Sequence, residues 1–353
     1  MKLPFAAALL ALLPFSARAA EVPSCAPSQG VNFVCGLAEP EDLVQVGGSK
    51  WLIASGMDNP GALSLIDADA KTARRFFTGR KKPDARMYPD CPAPDPVVFN
   101  SHGLALRPAG TAGLYTLYTV THAPFESIHV FAVDARGAEP AIAWKGCVKL
   151  PPGFTNGVTA KADGTILIDV QMKGTLTQAD FLRGMKTGGV YEWTPARKTL
   201  RLLPGTELRG NNGIEISPDE KQIYVAVSGT QSVAIFDLAD TAKGPRQART
   251  PWWNVDNVRW SGGRLLAAGQ VDDEPACGGT RLEVIEAKGD RACHRGWVAG
   301  ELDPVKLTFR TIAYGEPNPA FSGVATALVR NGVLWLSSFQ MDRVAWKPLA
   351  GPR

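Results

Sequence analysis

Short apolar segments recur along the chain, and each group of them follows a short polar step. The step at 211–214, which reads Asn-Asn-Gly-Ile, precedes one apolar segment at 222–226 and a second at 232–236. The segments are rich in Val, Ile, Leu and aromatic residues and are separated by Gly, Asp and Pro, which is typical of short β-strands joined by tight turns. No long helical periodicity competes with this pattern, although residues 177–186 fit a short helix inside an insertion.

The polar step occurs six times, beginning near residues 41, 101, 155, 211, 255 and 321. The step near 255 leads to predicted strands at 264–268 and 282–285, and the step near 321 leads to strands at 333–336 and 343–346. Strand modules repeated at this spacing predict an all-β fold, a single six-bladed β-propeller with a central channel over residues 20–353. A pair of β-sandwich domains is disfavoured because the chain shows no linker and each repeat is too short.

Residues 1–19 have the pattern of a secretory signal peptide. Lys2 precedes an apolar run at 3–15, and Ala17-Arg18-Ala19 provides the small residues that signal peptidase requires. This run is too short to cross a bilayer, and no later segment is long and apolar enough to do so. We therefore expect an exported protein without a transmembrane segment, periplasmic or secreted.

Composition excludes several classes of protein. With 45% hydrophobic and 20% charged residues the chain can bury a core, which excludes disorder. Lys and Arg number 38 against 34 Asp and Glu, and the basic residues are spread along the chain, so we expect no nucleic-acid partner. The partner is instead expected to be a small molecule.

All six cysteines follow the predicted leader, and an even number in an oxidising compartment favours disulfides. Six cysteines allow about 15 pairings, among which the sequence alone does not choose. Proximity along the chain favours Cys25–Cys35, Cys91–Cys147 and Cys277–Cys293. The spacing argues against zinc, because neither CxxC nor HxxxH occurs.

The polar steps carry the candidate chemistry. In a propeller the innermost strand of each blade lines the channel, so the six steps are expected to meet at one mouth. Most of their side chains are hard oxygen donors, which suit calcium. Any single Asn-Gly step is more often a turn than a ligand, but the same phase in five of six repeats favours ligands. The steps contain Glu41, Asp42, His102, Asn156, Asn212, Asp256, Asn257 and Ser322.

Two of the four histidines are expected at the same mouth. His102 begins the inner strand of the second blade, and His122 ends the next strand of that blade. Because neighbouring strands run antiparallel, the end of one lies beside the start of the other. A histidine near calcium can act as a general base toward water.

These residues resemble the calcium-dependent paraoxonase/arylesterase and lactonase propellers, which are related to the gluconolactonase/regucalcin group. The resemblance implies a catalytic calcium and a pair of histidines, His102 and His122, supported by Asp169. It also implies a second ion at Asp42 and the carbonyl of Leu104, which Gly157 weakens because the family has Asp at that position. The calcium ligands that it implies are Glu41, Asn156, Asn212, Asp256 and Asn257.

The function expected from the sequence is calcium-dependent hydrolysis of lactones or aryl esters. Calcium would polarise the carbonyl group, and His102 would activate the attacking water. Two alternatives stay open: a sugar-lactone hydrolase of the gluconolactonase type, in which the histidine pair is incidental, and a non-catalytic binding propeller stabilised by calcium.

Overall fold

A computed structural model describes residues 24–272, 277–289, 291 and 293–349. These residues form six four-stranded antiparallel sheets. The innermost strands contact one another in cyclic order around the channel. The predicted six-bladed β-propeller is therefore confirmed, whereas the predicted leader at 1–19 lies outside the described residues.

The N-terminal strand, β1 (Asn32–Cys35), is the outer strand of the last sheet, and the other strands follow blade by blade. The first two blades contain β2 (Leu43–Gln45), β3 (Trp51–Ala54), β4 (Ser64–Asp67), β5 (Thr72–Arg75), β6 (Leu104–Pro108), β7 (Leu114–Thr121), β8 (Ser127–Asp134) and β9 (Ala141–Lys149). The third and fourth contain β10 (Gly153–Ala160), β11 (Ile166–Lys173), β12 (Gly189–Trp193), β13 (Leu200–Leu202), β14 (Asn211–Ile216), β15 (Gln222–Val227), β16 (Ser232–Asp237) and β17 (Arg246–Arg249). The last two contain β18 (Trp253–Ser261), β19 (Arg264–Val271), β20 (Trp297–Asp303), β21 (Thr308–Gly315), β22 (Val324–Arg330), β23 (Val333–Ser338) and β24 (Arg343–Pro348).

The ring is closed by pairing the two ends of the described chain. In the sixth sheet β1 is hydrogen-bonded to β24, with Asn32 opposite Trp346 and Cys35 opposite Arg343. This pairing covers the edge of the last blade and joins distant parts of the sequence, so it resists opening of the ring.

Apolar side chains fill the space between each pair of neighbouring blades, in six clusters among the described residues. Successive residues of a central strand serve two clusters. Leu265 of β19 packs toward the fourth blade, whereas Leu266 packs toward the sixth. Because both faces of the sheets are buried, the strands read as continuous apolar runs rather than as an alternation.

Two helices lie in loops between strands: α1 (Gln178–Leu182) and α2 (Arg281–Lys288). The first confirms the helix expected within 177–186. The second shows that the strand predicted at 282–285 was wrong, because the third strand of that blade is β20. Thr280 and Glu283 form a reciprocal capping box that begins α2.

Three disulfides link Cys25 to Cys35, Cys91 to Cys147 and Cys277 to Cys293, which confirms the pairing of sequence neighbours. Within the described part of the chain, no helix is long and apolar enough to span a membrane.

Candidate metal centre and histidine relay

The six inner strands bring their polar steps to one mouth of the channel, where the structure has a cavity of about 620 Å³. The cavity lies between the oxygen donors of the steps below and two loops that carry α1 and α2. Among the residues that line it are Glu41, His102, His122, Asn156, Asn212 and Asp256. The structure therefore brings together residues that are more than 200 positions apart in the chain.

Three oxygen atoms of this group are buried and have no hydrogen-bond partner among the described residues. They are Oε2 of Glu41, Oδ1 of Asn156 and Oδ1 of Asn212. The amide of Asn212 is held by its nitrogen, which donates to Ser228 Oγ at 2.8 Å. Buried polar atoms in folded proteins are nearly always satisfied, so three unsatisfied oxygens that line one cavity are suited to a cationic ligand. Carboxylate and amide oxygens are the donors that calcium prefers.

Glu41 and Asp256 supply the negative charge of the group. Burial raises the pKa of Glu41 well above its ordinary value, and the charges of Asp42 and Asp256 raise it further. Asp256 is held by Gln270, whose Nε2 donates to Asp256 Oδ2 at 2.9 Å. A bound divalent cation would offset this repulsion. Among the described residues no cluster of three or more His, Cys, Asp or Glu side chains is suited to a metal, so a cation at this mouth would need the amide oxygens of Asn156 and Asn212 as well.

Asn257 is arranged differently from the other expected ligands. Its Nδ2 donates to Glu41 Oε1 at 2.6 Å and to Thr326 Oγ1 at 3.0 Å, so its amide nitrogen faces Glu41. Its Oδ1 lies against Gly213, where an added Cβ would approach that oxygen to 1.9 Å. Gly213, within β14, is therefore required for the close approach of the neighbouring blade.

The histidine pair forms a hydrogen-bonded chain. His102 Nδ1 lies 2.9 Å from His122 Nε2, and His122 Nδ1 lies 2.7 Å from Glu126 Oε1. The other oxygen of Glu126 accepts from the backbone N–H of Thr155 at 2.9 Å. His122 also stacks on Phe154, with ring centroids 4.4 Å apart.

The carboxylate of Glu126 orients the pair. Because this carboxylate only accepts, His122 donates to it from Nδ1, and Nε2 of His122 faces Nδ1 of His102. Nε2 of His102 lies 3.6 Å from Glu41 Oε2, beside the unsatisfied oxygens. Burial lowers the pKa of His102 well below its ordinary value, with smaller contributions from His122 and Arg291, so the neutral form of the ring is favoured.

Glu126 was missed in the sequence, and Asp169 is placed differently from the expectation. One oxygen of Asp169 accepts from Asn211 Nδ2 at 2.9 Å, and the other has no hydrogen-bond partner among the described residues. Asp169 is therefore not hydrogen-bonded to His122. Glu126 orients His122 because the hairpin between β7 and β8 returns the chain to the same mouth. In the sequence, the only indication of this role was that Glu126 lies four residues after His122.

The residues of the expected second ion do not fit a metal. Each oxygen of Asp42 already accepts two hydrogen bonds: one oxygen from Leu43 N–H and Thr326 Oγ1, and the other from Leu104 N–H and Arg259 Nη2. Leu104 contacts the carboxylate through its N–H, at 2.7 Å, where the resemblance implied a role for its carbonyl group.

A guanidinium group supplies positive charge at this position in the channel. Arg259 Nη2 lies 2.5 Å from Asp42, and Arg259 Nη1 lies 3.6 Å from Glu215 Oε2. Arg259 is two residues after Asn257 in β18, so both side chains project from the same face of that strand.

The remaining histidines are outside this group of residues. His129 is buried in the second blade, where it accepts from Trp144 Nε1 at 3.0 Å, and burial lowers its pKa to about 4. His294 Nδ1 lies 2.9 Å from Ser322 Oγ, and Ser322 is fully buried.

No protein-family model and no curated protein matches this chain. Solved structures share its architecture at low sequence identity. A luciferin-regenerating enzyme has a TM-score of 0.53 at 14% identity, covering 90% of this chain and 95% of its own. A propeller assigned as a gluconolactonase has a TM-score of 0.51 at 12% identity, covering 92% of this chain and 96% of its own. A nidogen/laminin complex also has a TM-score of 0.51, at 12% identity, covering 85% and 89%. These likenesses establish the six-bladed propeller fold.

Proposed function

We propose that this protein is a calcium-dependent hydrolase of lactones or aryl esters. The observation that carries the proposal is the group of three buried, unsatisfied oxygens, on Glu41, Asn156 and Asn212, with His102 Nε2 3.6 Å from the oxygen of Glu41. A cation site next to a general base is the arrangement that metal-assisted hydrolysis requires. The likeness to a propeller assigned as a gluconolactonase agrees with hydrolysis of this general kind, through the fold alone.

The calcium would be held by Glu41, Asn156, Asn212 and Asp256. Asn257 joins them only if its amide turns over, since its nitrogen faces Glu41 in the structure. When bound, calcium polarises the carbonyl group of an ester and stabilises negative charge on its oxygen. No second calcium is proposed, because the carboxylate of Asp42 is fully hydrogen-bonded and already faces Arg259.

The histidine pair and Glu126 would accept the proton of the attacking water. His102 Nε2 would take a proton from the attacking water and return it to the alcohol oxygen as the ester C–O bond breaks. The proton on His102 Nδ1 is shared with His122 Nε2, and His122 Nδ1 points to the carboxylate of Glu126, so positive charge on the pair is stabilised. Such a relay favours an active role for the histidines over the gluconolactonase-type alternative in which they are incidental. Asp169 is given no part in the relay.

The compartment is also a proposal. Three disulfides in the described structure favour an oxidising compartment outside the cytoplasm. Together with the leader expected at 1–19, they support an exported protein, periplasmic or secreted.

The test is hydrolysis of a panel of lactones and of phenyl acetate, with calcium, after chelation and after calcium is restored. We expect activity that disappears on chelation and returns with calcium. His102→Gln should lower kcat by about 10²–10⁴-fold, the usual contribution of a general base. Activity that survives complete calcium removal would refute the mechanism. Calcium-dependent stability without hydrolysis of any ester would instead identify a binding propeller.

A further inference from the structure

The wall of the cavity opposite the polar steps belongs to a short segment closed by a disulfide. Cys277 and Cys293 are joined, and α2 lies between them. This segment contributes Arg281, Lys288, Gly289 and Arg291 to the lining of the cavity. These four residues therefore face the same cavity as the polar steps.

Among the described residues of this segment, the positive and negative side chains lie in different surroundings. All three cationic side chains that it contributes among the described residues, Arg281, Lys288 and Arg291, line the cavity. Its described carboxylates do not. Glu283 accepts from the backbone N–H of Thr280 in the capping box, and Glu286 pairs with Arg183 of α1.

The rest of the cavity lining combines two amide side chains, Gln171 and Gln178, with three apolar ones. The apolar side chains are those of Met57, Phe154 and Phe339, and Phe154 stacks on His122. A ligand would therefore contact oxygen donors and a histidine at the base, apolar surface on one side and positive charge on the other. This arrangement suits a molecule with an apolar body and an anionic end.

Lys288 is the cation most available to a ligand. Arg291 pairs with Glu39, and Arg281 Nη1 lies 3.5 Å from Asp272 Oδ1. Lys288 is exposed at the rim and has no hydrogen bond or ion pair with any described residue. With the charges of Glu41 and Asp256 offset by a divalent ion, the cavity would keep an excess of positive charge.

From this arrangement of charge we infer that the substrate carries an anionic oxygen group, a carboxylate or phosphate, separate from the carbonyl that is hydrolysed. The inference rests on the proposed function, because it names the substrate class of the same site. Lys288 is the specificity-determining residue, and the anionic group lies between it and the neighbouring guanidinium groups.

The experiment compares 4-acetoxybenzoate, which has a carboxylate, with the neutral ester phenyl acetate, in the calcium-loaded protein. We expect the ratio of kcat/KM for the anionic to the neutral ester to fall about fivefold in Lys288→Gln, the upper range for one exposed ion pair. Charge reversal in Lys288→Glu should lower the ratio further. Lys221→Gln is the matched control, since Lys221 is an exposed lysine in the turn after β14, away from the cavity.

A second measurement separates this inference from the proposed function. Binding of 4-acetamidobenzoate, whose amide resists hydrolysis, is followed by calorimetry in the same variants. If no ester is hydrolysed but Lys288→Gln weakens binding relative to Lys221→Gln, the anion site stands and the hydrolase proposal fails. If esters are hydrolysed but Lys288→Gln changes neither the ratio nor the binding, the inference is overturned and the hydrolase proposal stands. If the variants show neither hydrolysis nor a difference in binding, both are overturned.

Discussion

Glu41 and Asp42 are adjacent carboxylates, each about 1% exposed, and they have opposite surroundings. Asp42 faces the interior of the channel, where both of its oxygens accept two hydrogen bonds and Arg259 supplies a positive charge. Glu41 faces the mouth, where one oxygen accepts from Asn257 and the other has no hydrogen-bond partner among the described residues. The carboxylate in the channel interior is thus fully hydrogen-bonded by the chain itself, whereas the mouth has buried oxygens that are available to a ligand.

The difference has an energetic meaning. A buried donor or acceptor without a partner costs about 1–3 kcal/mol, and more if it is charged. Three such oxygens at one place lower the stability of the fold. The hydrogen bonds of Asp42 show that a buried carboxylate in this channel can be fully satisfied within the chain. We interpret the mouth as a site that is completed by binding, and the interior as a structural element.

The largest expected effect is on stability, when the ion pairs of Arg259 in the channel interior are removed. Arg259→Met leaves the carboxylates of Asp42 and Glu215 without their cation, which should lower the free energy of unfolding by about 3–5 kcal/mol. Urea denaturation with calcium present measures this change. Arg264→Met is the control, because Arg264 forms a partly exposed pair with Glu301 at 3.5 Å and should cost less than about 1 kcal/mol.

A small loss of stability in Arg259→Met would contradict the comparison. Such a result would mean that another cation binds beside Asp42 in place of Arg259. A second calcium per chain in that variant would identify this cation. Metal content measured on the purified variant distinguishes these outcomes.

The second effect concerns the mouth. Glu41→Gln removes a carboxylate ligand, so calcium affinity should fall by at least about 100-fold, the upper range for mutation of outer-shell partners. The unfolding free energy of the calcium-free protein should not fall, because the substitution removes an unpaired buried charge. Asp42→Asn is the matched change, and it should destabilise the calcium-free protein.

Titration calorimetry gives the affinity, and denaturation after chelation gives the stability. If Glu41→Gln and Asp42→Asn destabilise the calcium-free protein equally, then the two carboxylates do not differ in the way that their hydrogen bonds indicate. Unchanged calcium affinity in Glu41→Gln would place the metal elsewhere.

The sequence predicted which residues lie at the mouth, because they occupy the same position in successive repeats. The inner strands follow the polar steps, so the repeat alone was sufficient to bring Glu41, Asn156 and Asn212 to one mouth. The outer strands were not predicted, because strands such as β5 are short and exposed and carry no apolar pattern. The helix α2 was read as a strand because its apolar residues outweighed the capping box that begins it.

The partners of the site residues could not be predicted in the same way. Arg259 could have been found from its position two residues after Asn257 in a channel-lining strand, which puts both side chains on one face. Glu126 has no such pattern, since it lies in a hairpin connection and its role depends on how that connection folds back. Asp169 was expected at the histidine pair through a resemblance, and the structure pairs it with Asn211.

The smallest of these effects, and the one that tests the histidine relay, is expected for Glu126→Gln. The amide keeps the size of the side chain but removes its charge, and it cannot accept from both His122 Nδ1 and the Thr155 N–H as the two carboxylate oxygens do. We expect kcat for the hydrolysed ester to fall about tenfold, a part of the usual general-base contribution, with KM and calcium affinity unchanged. Glu207→Gln, which removes an exposed partner of Lys173, is the control and should change none of these values. An unchanged kcat in Glu126→Gln would mean that the carboxylate only fixes the loop. A fall in calcium affinity would mean that Glu126 acts through the metal site, and the mouth would then be one coupled network rather than a cation site beside a separate base.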